Sequence, residues 1–404
     1  MLNRGLLISS SKKLCGIGVP GKVGFGVGVY TEDPADLVAM GLTPMPGVED
    51  PTNPNYGNYQ HANGSVMVFI PKFYYKYAEG SASYAPNSLC ITSFPSGGGW
   101  VLHRAFIDGG VEKSGFFVDK YLCSKSSKDQ NIPVSIKSGN QISLGASYET
   151  SSTMNGCTGK IVDAITLGRS RGDNYSCMSG FQFSALAMIA FAHAQASNSP
   201  EACAWYDEDI GKRHPKGSNT VSLVDVDDTS VIYQSHDRNP IFGKTGSASI
   251  IAKTTHNGQN CGVADVNGVM CQVISGLWFR GGMGQTVYFA KKTVRMHDLT
   301  KESHESSADF ISKTLYISGG QWYEMNRTYD DEEMTGILPH TTRHEGNSIF
   351  GFDTVDFGSS TSSLMLVGGQ YDSQKNAGVF CRNTDSGTAE YYSTASFRVA
   401  GYAN

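Results

Sequence analysis

The stretch GFQFSALAMIAFAHAQAS, residues 180–197, decides how this chain can fold. Its apolar side chains recur at spacings of three and four, the periodicity of an α-helix. They are Phe183, Leu186, Ala187, Ala190, Phe191 and Ala194. A helix on a free surface needs a polar face, and this segment has too few polar residues to form one. The sequence therefore predicts a helix over 180–197 that packs against a sheet.

Aromatic and β-branched runs on both sides of this helix predict the sheet. Residues 65–70 read SVMVFI, residues 73–77 read FYYKY, and residues 115–121 read GFFVDKY. Such runs are typical of strands. Shorter strands are predicted beyond the helix, at 269–274, 314–317 and 363–367. Strands before and after one helical layer indicate an α+β fold rather than alternating βαβ units.

The first 60 residues have a different character. They contain GIGVPGKVGFGVGVY at 16–30 and MPGVEDPTNPNYGNYQ at 45–60, with one short helix predicted at 34–40. A segment so rich in Gly and Pro cannot bury much of its own surface, so it needs a neighbour to be ordered. We therefore expect residues 1–60 to be an N-terminal adaptor or assembly segment, and residues 61–404 to form one large domain with decorations.

Composition excludes several classes of function. The 404 residues include 32 Lys and Arg against 37 Asp and Glu, for a formal net charge of −5, and no block concentrates like charges. Nucleic-acid binding needs clustered Lys and Arg, so no nucleic-acid partner is expected. The nine cysteines include no C-x-x-C pair. They are expected to be buried thiols rather than a disulfide framework or a metal site.

Hydropathy predicts neither a membrane span nor a secretory leader. The longest apolar stretch, residues 183–196, is shorter than the roughly 20 helical residues that cross a bilayer core. The start of the chain has only Leu6, Leu7 and Ile8 as an apolar run, whereas a leader needs about 7–15 such residues. We expect synthesis in a host cytoplasm and, for work outside the cell, export by another route.

The glycine pattern GIGVPG at 16–21 matches that of dinucleotide-binding loops. That chemistry needs a preceding strand and a following helix whose N-terminus holds the pyrophosphate. Here the Gly-rich KVGFGVGVY follows instead, so no cofactor is predicted.

Two other motifs are also interpreted as non-catalytic. GRSRG at 168–172 matches a nucleophile elbow after a predicted strand at 161–167, but the required helix does not follow at once, so Ser170 is not taken as a nucleophile. His340 and His344 have the spacing of helical metal ligands, but Pro339 and Gly346 oppose a helix there. No catalytic or metal-binding residue is predicted.

Five segments, in their order, resemble a known family. They are GSVMVFIPKFYYKY (64–77), HRAFIDGGVEKSGFFVDKYLCS (103–124), GRSRGDNYSCMSGFQFSALAMIAF (168–191), THNGQNCGVADVNGVMCQVISGLWFRGG (255–282) and the closing segment that begins LMLVGGQYDSQ at 364 and ends with SFRVAGY. This series is similar to phage tail and variable proteins built on the C-type-lectin-like fold of the formylglycine-generating-enzyme type. The likeness covers roughly residues 60–404.

The chain departs from the enzymatic branch of that family at two places. The resemblance implies two copper-binding cysteines near the C-terminus, where this chain has only Cys381. It also implies a calcium-binding pattern G-N-x-W-E-W, where residues 268–273 read GVMCQV. Val269 and Gln272 there replace an Asn and a carboxylate, so neither calcium nor oxidase activity is expected.

The non-enzymatic branch implies a receptor-binding protein whose C-terminal segment is diversified by a retroelement. Between the strand at 364–367 and a closing strand at 396–400 lies a polar and aromatic run. Its predicted binding residues are Tyr371, Asp372, Ser373, Gln374, Asn376, Arg382, Asn383, Asp385, Tyr391, Tyr392 and Ser393. Tyr supplies rigid contact area and the small polar residues supply adaptable hydrogen bonds, as in antibody loops. The alternative is an ordinary hydrophilic loop that closes a hairpin.

The sequence thus predicts an attachment protein and not an enzyme. The resemblance implies a phage tail location, a homotrimer, a host cell-surface receptor of protein or glycan, and contacts with other virion proteins through the N-terminal segment. The listed side chains are expected to form one exposed patch, with Tyr391 and Tyr392 as its anchors. Two alternatives stay open: a virion structural or decoration protein, and an oxidase of the sulfatase-modifying type.

Overall fold

A computed structural model of the chain describes residues 16–77, 89–145, 149–207, 211–212, 222–281, 285–305, 308–315, 321–324, 354–357, 362–384, 387 and 390–403. Three α-helices lie in these ranges: α1 Pro34–Ala39, α2 Asp163–Arg169 and α3 Gly180–Ala196. The strands before α3 are β1 Leu42–Pro44, β2 Asn58–His61, β3 Val66–Pro71, β4 Tyr74–Tyr77, β5 Leu89–Thr92, β6 Val101–Leu102, β7 Ile107–Asp108, β8 Val111–Glu112, β9 Gly115–Asp119, β10 Cys123–Lys125, β11 Pro133–Ser135 and β12 Tyr175–Cys177. The strands after α3 are β13 Tyr206–Asp207, β14 Gly211–Lys212, β15 Cys271–Arg280, β16 Gln285–Ala290, β17 Phe310–Leu315, β18 Gln321–Glu324, β19 Thr354–Phe357, β20 Ser363–Val367, β21 Arg382–Asn383, β22 Ala395–Phe397 and β23 Val399–Gly401.

A six-stranded sheet joins the two ends of the chain. Its order is β1-β2-β3-β9-β23-β12, and all its neighbours are antiparallel. At its centre Phe69 of β3 lies opposite Phe117 of β9, with ring centroids 4.9 Å apart. The strands predicted at 65–70, 73–77 and 115–121 are confirmed, within two residues at each end, as β3, β4 and β9.

Helix α3 confirms the prediction made from its periodicity. It begins with a capping box in which Ser179 and Gln182 each bond the other's backbone, a common signal for a helix start. Every residue from 180 to 194 is buried, because the helix packs on β15 and is covered on its other sides. At Gly180 an added Cβ would lie 1.8 Å from a methyl of Leu277, so only glycine permits this approach of helix to sheet.

A second sheet is built around the long strand β15. Its order is β17-β16-β15-β20-β21-β19-β18, and β22 pairs in parallel with the start of β15. The strands predicted at 269–274 and 363–367 correspond to β15 and β20. The strand predicted at 314–317 overlaps β17, and residues 316–317 lie outside the described residues. The chain therefore has an α+β fold with far more strand than helix.

The Gly-rich N-terminal segment is ordered by the rest of the same chain. Ile17, Phe25 and Val27 are fully buried in the same core as β3, β9 and α3. The backbone N–H of Gly21 donates to Nδ1 of His193 at 3.1 Å, which ties the segment to α3. Helix α1 matches the helix predicted at 34–40. Residues before and after position 60 thus belong to one hydrophobic core. The division at residue 60 and the assembly role of the segment stay predictions.

The strand predicted at 161–167 is wrong, because these residues belong mostly to α2. Asp163 decides the outcome: one of its carboxylate oxygens accepts from the backbone N–H groups of Thr158, Gly159 and Lys160. These bonds fold the preceding loop over the helix start, and the β-branched pattern is overruled. The hydroxyl of Ser170 donates back to the carbonyl of Leu167 at 2.7 Å, so GRSRG is the end of a helix and not a nucleophile elbow.

The described cysteines are thiols, as predicted. Seven are buried and Cys90 is half-buried, and none of these eight forms a disulfide. In the described part of the chain, no helix has the length and apolar character needed to cross a membrane.

Candidate binding surface

Arg398, between β22 and β23, fixes the base on which the predicted surface stands. Its side chain is fully buried, and its Nε donates to the side-chain oxygen of Gln272 at 2.7 Å. Its terminal nitrogens donate to four backbone carbonyls, those of Asp119, Lys120, Ala264 and Asp265. Burial lowers the pKa of Arg398 to about 10, so the guanidinium still carries its charge at neutral pH. One cation thus joins β9, β15 and the C-terminal strands.

A second buried pair holds the same strands. The guanidinium of Arg171 makes a two-pronged bond to the carboxylate of Asp119, at 2.5 and 3.0 Å. The same carboxylate accepts from the backbone N–H of Val399 at 2.9 Å. Burial opposes the charge on Arg171, but Asp119 outweighs it, and the pKa of Arg171 is raised. Matched geometry of this kind is what makes a buried ion pair tolerable.

Strand β15 brings the two ends of the predicted binding segment together. Gln272, near its start, lies opposite Val367 of β20 on one side and Ser396 of β22 on the other. Val367 of β20 and Ser396 of β22 are therefore about two strand spacings, or roughly 10 Å, apart. The chain leaves β20 and returns to β22 at the same end of β15. The two ends of the predicted binding segment therefore lie close together, and that its side chains form one binding patch stays a prediction.

The first half of the surface, residues 370–376, follows a tight glycine turn. Gly368 and Gly369 both have positive φ angles, of 88° and 80°, which is why β20 can end so abruptly. The ring of Tyr371 lies edge-on to the ring of Phe242, 5.2 Å between centroids. Asp372 and Gln374 beyond it are exposed.

The second half, residues 390–394, is bonded to the first by one side chain. The side-chain oxygen of Gln370 accepts from the hydroxyls of Tyr392, at 3.0 Å, and Thr394, at 2.5 Å. An antiparallel bridge pairs Tyr392 with Leu144, and the N–H of Tyr392 donates to the carbonyl of Leu144 at 2.8 Å. Tyr391 points outward with 55% of its surface exposed, and the ammonium of Lys160 lies 5.9 Å from its ring.

The structure separates the predicted binding residues into groups. Exposed members are Asp372, Gln374 and Tyr391; half-buried members are Tyr371, Ser373, Asn376, Asn383, Tyr392 and Ser393. Asp385 lies outside the described residues. Of the two predicted anchors only Tyr391 has an anchor's exposure, because Tyr392 is packed against the core and bonded through its hydroxyl.

The prediction that Arg382 is exposed is wrong. Its side chain is buried, and its guanidinium lies over the ring of Phe183 in α3, 4.9 Å from the centroid. It donates to the carbonyls of Val379 and Cys381, which closes the turn beneath the surface. A guanidinium that stacks on an aromatic ring and bonds carbonyls can be buried at tolerable cost.

Sequence reasoning missed the neighbours that complete the surface. Phe242, Leu144 and Lys160 come from segments more than 120 residues away along the chain. Glu390, which is exposed beside Tyr391, was also passed over. Nothing local in the sequence links these residues to the C-terminal segment, since only the sheet topology brings them there.

The turn that corresponds to the family's calcium pattern is filled by protein groups. The side-chain amide of Gln272 donates to the carbonyl of Asp265 at 3.0 Å, while its oxygen is bonded to Arg398. Among the described residues no group of three or more His, Cys, Asp or Glu side chains is placed to hold a metal ion. His340 and His344 lie outside the described residues.

Cys381 has a thiol neighbour that the sequence did not suggest. Cys271, at the start of β15, is buried; burial raises the pKa of its thiol well above the usual value, and the nearby Cys381 and Asp372 raise it further. The thiolate is the form that binds a metal or attacks a substrate, and this environment opposes it.

Comparisons with known proteins complete the description. No protein-family model matches the chain, and no curated protein matches it. Among solved structures it is similar to the Major Tropism Determinant U1 variant, at 11% identity and a TM-score of 0.31, and to the M1 variant, at 12% and 0.31; each match covers 84% of this chain and 63% of the other. It is also similar to PvdO from Pseudomonas aeruginosa, at 8% identity and a TM-score of 0.29, over 85% of this chain and 97% of that one. The chain spans about 63% of the length of the tropism determinants that it matches.

Proposed function

We propose that this protein is an attachment protein that binds a partner on a cell surface through residues 370–376 and 390–394, and that it is not an enzyme. The observation that carries the proposal is the convergence of these two segments at one end of β15, tied to each other through Gln370. Exposed side chains therefore stand on strands that are held together by the buried hydrogen bonds of Arg398 and Asp119. Binding loops commonly use this arrangement of variable contacts on a rigid support.

The environment of the thiols supports a binding protein over an oxidase. Copper chemistry of the sulfatase-modifying type needs accessible thiolates, whereas Cys271 and Cys381 are buried and the pKa of the Cys271 thiol is raised. The sequence resemblance adds the finer parts of the proposal: a C-type-lectin-like fold, a place in a phage tail, a homotrimer, and a C-terminal segment diversified by a retroelement. A reverse transcriptase gene and a near-identical template repeat beside the coding sequence would support the last part.

The test is adsorption of the fluorescently labelled protein to intact cells from a panel of bacterial isolates. On a strain that the wild type binds, Tyr391→Ala should lower adsorption at least about tenfold, because exposed aromatic anchors carry a large share of binding energy. Phe94→Ala is the matched control, since Phe94 is an aromatic residue of similar exposure, 58% against 55%, in another segment. It should leave adsorption unchanged.

Both variants should keep the wild-type melting temperature, because exposed side chains contribute little to folding. Adsorption that is unaffected by Tyr391→Ala, or absent from every strain, would contradict the proposal. A decoration protein, the remaining alternative, would instead bury this surface in the particle, and an antibody against residues 370–376 would then fail to bind intact virions.

A further inference from the structure

A loop far from the C-terminal segment in sequence borders the proposed surface. We name residues 236–242 the arginine loop. The backbone N–H of His236 donates to the carbonyl of Phe242 at 2.8 Å, which closes the loop at its base. Phe242 is buried there and packs edge-on against Tyr371, the first aromatic residue of the surface. The arginine loop therefore lies directly beside the proposed surface, in contact with it through Phe242 and Tyr371.

The tip of the arginine loop is held in one shape. Nδ1 of His236 accepts from the backbone N–H groups of Arg238 and Asn239, both at 3.1 Å. Asp237 is fixed from two sides, by the side-chain amide of Asn140 at 2.8 Å and by the ammonium of Lys244 at 2.6 Å. Side chains at this tip are thus presented on a preorganised support, which lowers the entropy lost on binding.

Arg238 is the exposed group at that tip. Its side chain is 65% exposed, and its Nε lies 3.0 Å from a carboxylate oxygen of Glu149 in an ion pair. Its two terminal nitrogens have no partner among the described residues. The guanidinium, a planar fork of N–H donors, is therefore largely open to solvent. A guanidinium fork of this kind suits the two oxygens of a carboxylate or a phosphate.

The local charge also favours an anion. Lys125 lies 3.7 Å from the other oxygen of Glu149, so the cluster around the arginine loop contains three cations. Among the described residues, the carboxylates paired with them are those of Asp237 and Glu149. The cluster therefore has one positive charge in excess, and Arg238 is its most exposed cation, 65% against 21% for Lys125 and 19% for Lys244.

We propose that Arg238 is an oxyanion-recognition residue of the binding surface, and that the partner is a cell-surface polymer that carries carboxylate or phosphate groups. This inference rests on the proposed attachment function and names the chemistry of its partner. The oxyanion is held by the terminal nitrogens of Arg238, while the neighbouring aromatic residues contact the uncharged part of the repeat unit.

The test measures binding of the full chain to three immobilised polymers: polyglucuronate, poly(glycerol phosphate) and uncharged dextran. The wild type should bind one of the two anionic polymers and not dextran, and the polymer bound identifies carboxylate or phosphate as the source. Arg238→Ala should weaken that binding by about tenfold or more, and Arg238→Lys, which keeps the charge and loses the fork, by an intermediate factor. Arg280→Ala is the control, because Arg280 is also exposed but lies at the opposite end of β15 from Cys271.

Three results would overturn the inference: no binding to either anionic polymer, equal binding to dextran, or an Arg238→Ala variant that binds like the wild type. The proposed attachment function is judged separately, by cell adsorption of Tyr391→Ala. If Tyr391→Ala loses adsorption while the wild type binds neither anionic polymer, only the recognition of an oxyanion is refuted, and the proposed attachment function stands. Polymer binding that depends on Arg238, together with adsorption indifferent to Tyr391, would support the oxyanion site and contradict the proposed surface.

Discussion

Replacement of Arg398 by Met removes the cation that joins the C-terminal strands to β9 and β15. Met fills much of the same volume and cannot donate hydrogen bonds. Five acceptors then lose a donor: the side-chain oxygen of Gln272 and four backbone carbonyls. Two of these carbonyls keep another donor, Lys120 the N–H of Ala264 and Asp265 the side-chain amide of Gln272. A buried acceptor left unsatisfied costs about 1–3 kcal/mol. The variant in return no longer pays to bury a charge, and that gain offsets part of the loss.

We expect Arg398→Met to lower the free energy of unfolding by about 3–5 kcal/mol, a large share of the 5–15 kcal/mol typical of folded proteins. Urea unfolding followed by tryptophan fluorescence measures it. Arg280→Met is the control: this exposed arginine should change the unfolding free energy by no more than about 0.5 kcal/mol. If Arg398→Met cost less than about 1 kcal/mol, the carbonyls would be satisfied by other donors and the buried cation would not hold the site.

Three further predictions concern the core and the calcium pattern. Ala190→Asp should cost several kcal/mol in the same assay, because residue 190 is buried in α3 and an unpaired carboxylate there has no partner. Burial lowers the pKa of His256 to about 4, so this side chain takes up a proton on unfolding between pH 4 and 6.5, and stability falls as pH drops through that window. His256→Gln should make the free energy of unfolding depend less steeply on pH in this window, by up to about 1.4 kcal/mol per pH unit. An unchanged slope would show that His256 does not take up this proton. A chelator should leave the melting temperature unaltered, because Gln272 is bonded to protein groups; a drop that Gln272→Ala abolishes would contradict this.

The order of apolar and polar residues predicted correctly those helices and strands that are buried along their whole length. Helix α3 is buried on all sides and so shows its apolar periodicity without interruption. Strands β3 and β9 lie at the centre of a sheet and are rich in aromatic and β-branched residues for the same reason. Helix α2 was mistaken for a strand because its start depends on Asp163 and the loop before it, which no window of β-branched residues reveals.

The sequence indicated which segment could form the candidate surface, but not which of its side chains are exposed and which are buried. Arg382 and Tyr391 lie in one polar run, and composition treats them alike. Their difference comes from what lies beneath: Phe183 of α3 under Arg382, and open solvent beside Tyr391. The arginine loop was unpredictable for a related reason, since Tyr371 meets Phe242 only after β15 and β20 have paired.

The division between support and surface has a consequence for how this protein can change. Gln370 and Thr394 are half-buried and bond to each other, whereas Asp372 and Tyr391, two and three residues away, are exposed. Half-buried, bonded positions and exposed positions therefore alternate along the same short segments. Substitutions at the exposed positions leave the hydrogen bonds of the others intact, because those bonds come from Gln370, Arg398 and the backbone. If the proposed function holds, such a surface can exchange its exposed side chains without a loss of stability that would unfold the domain.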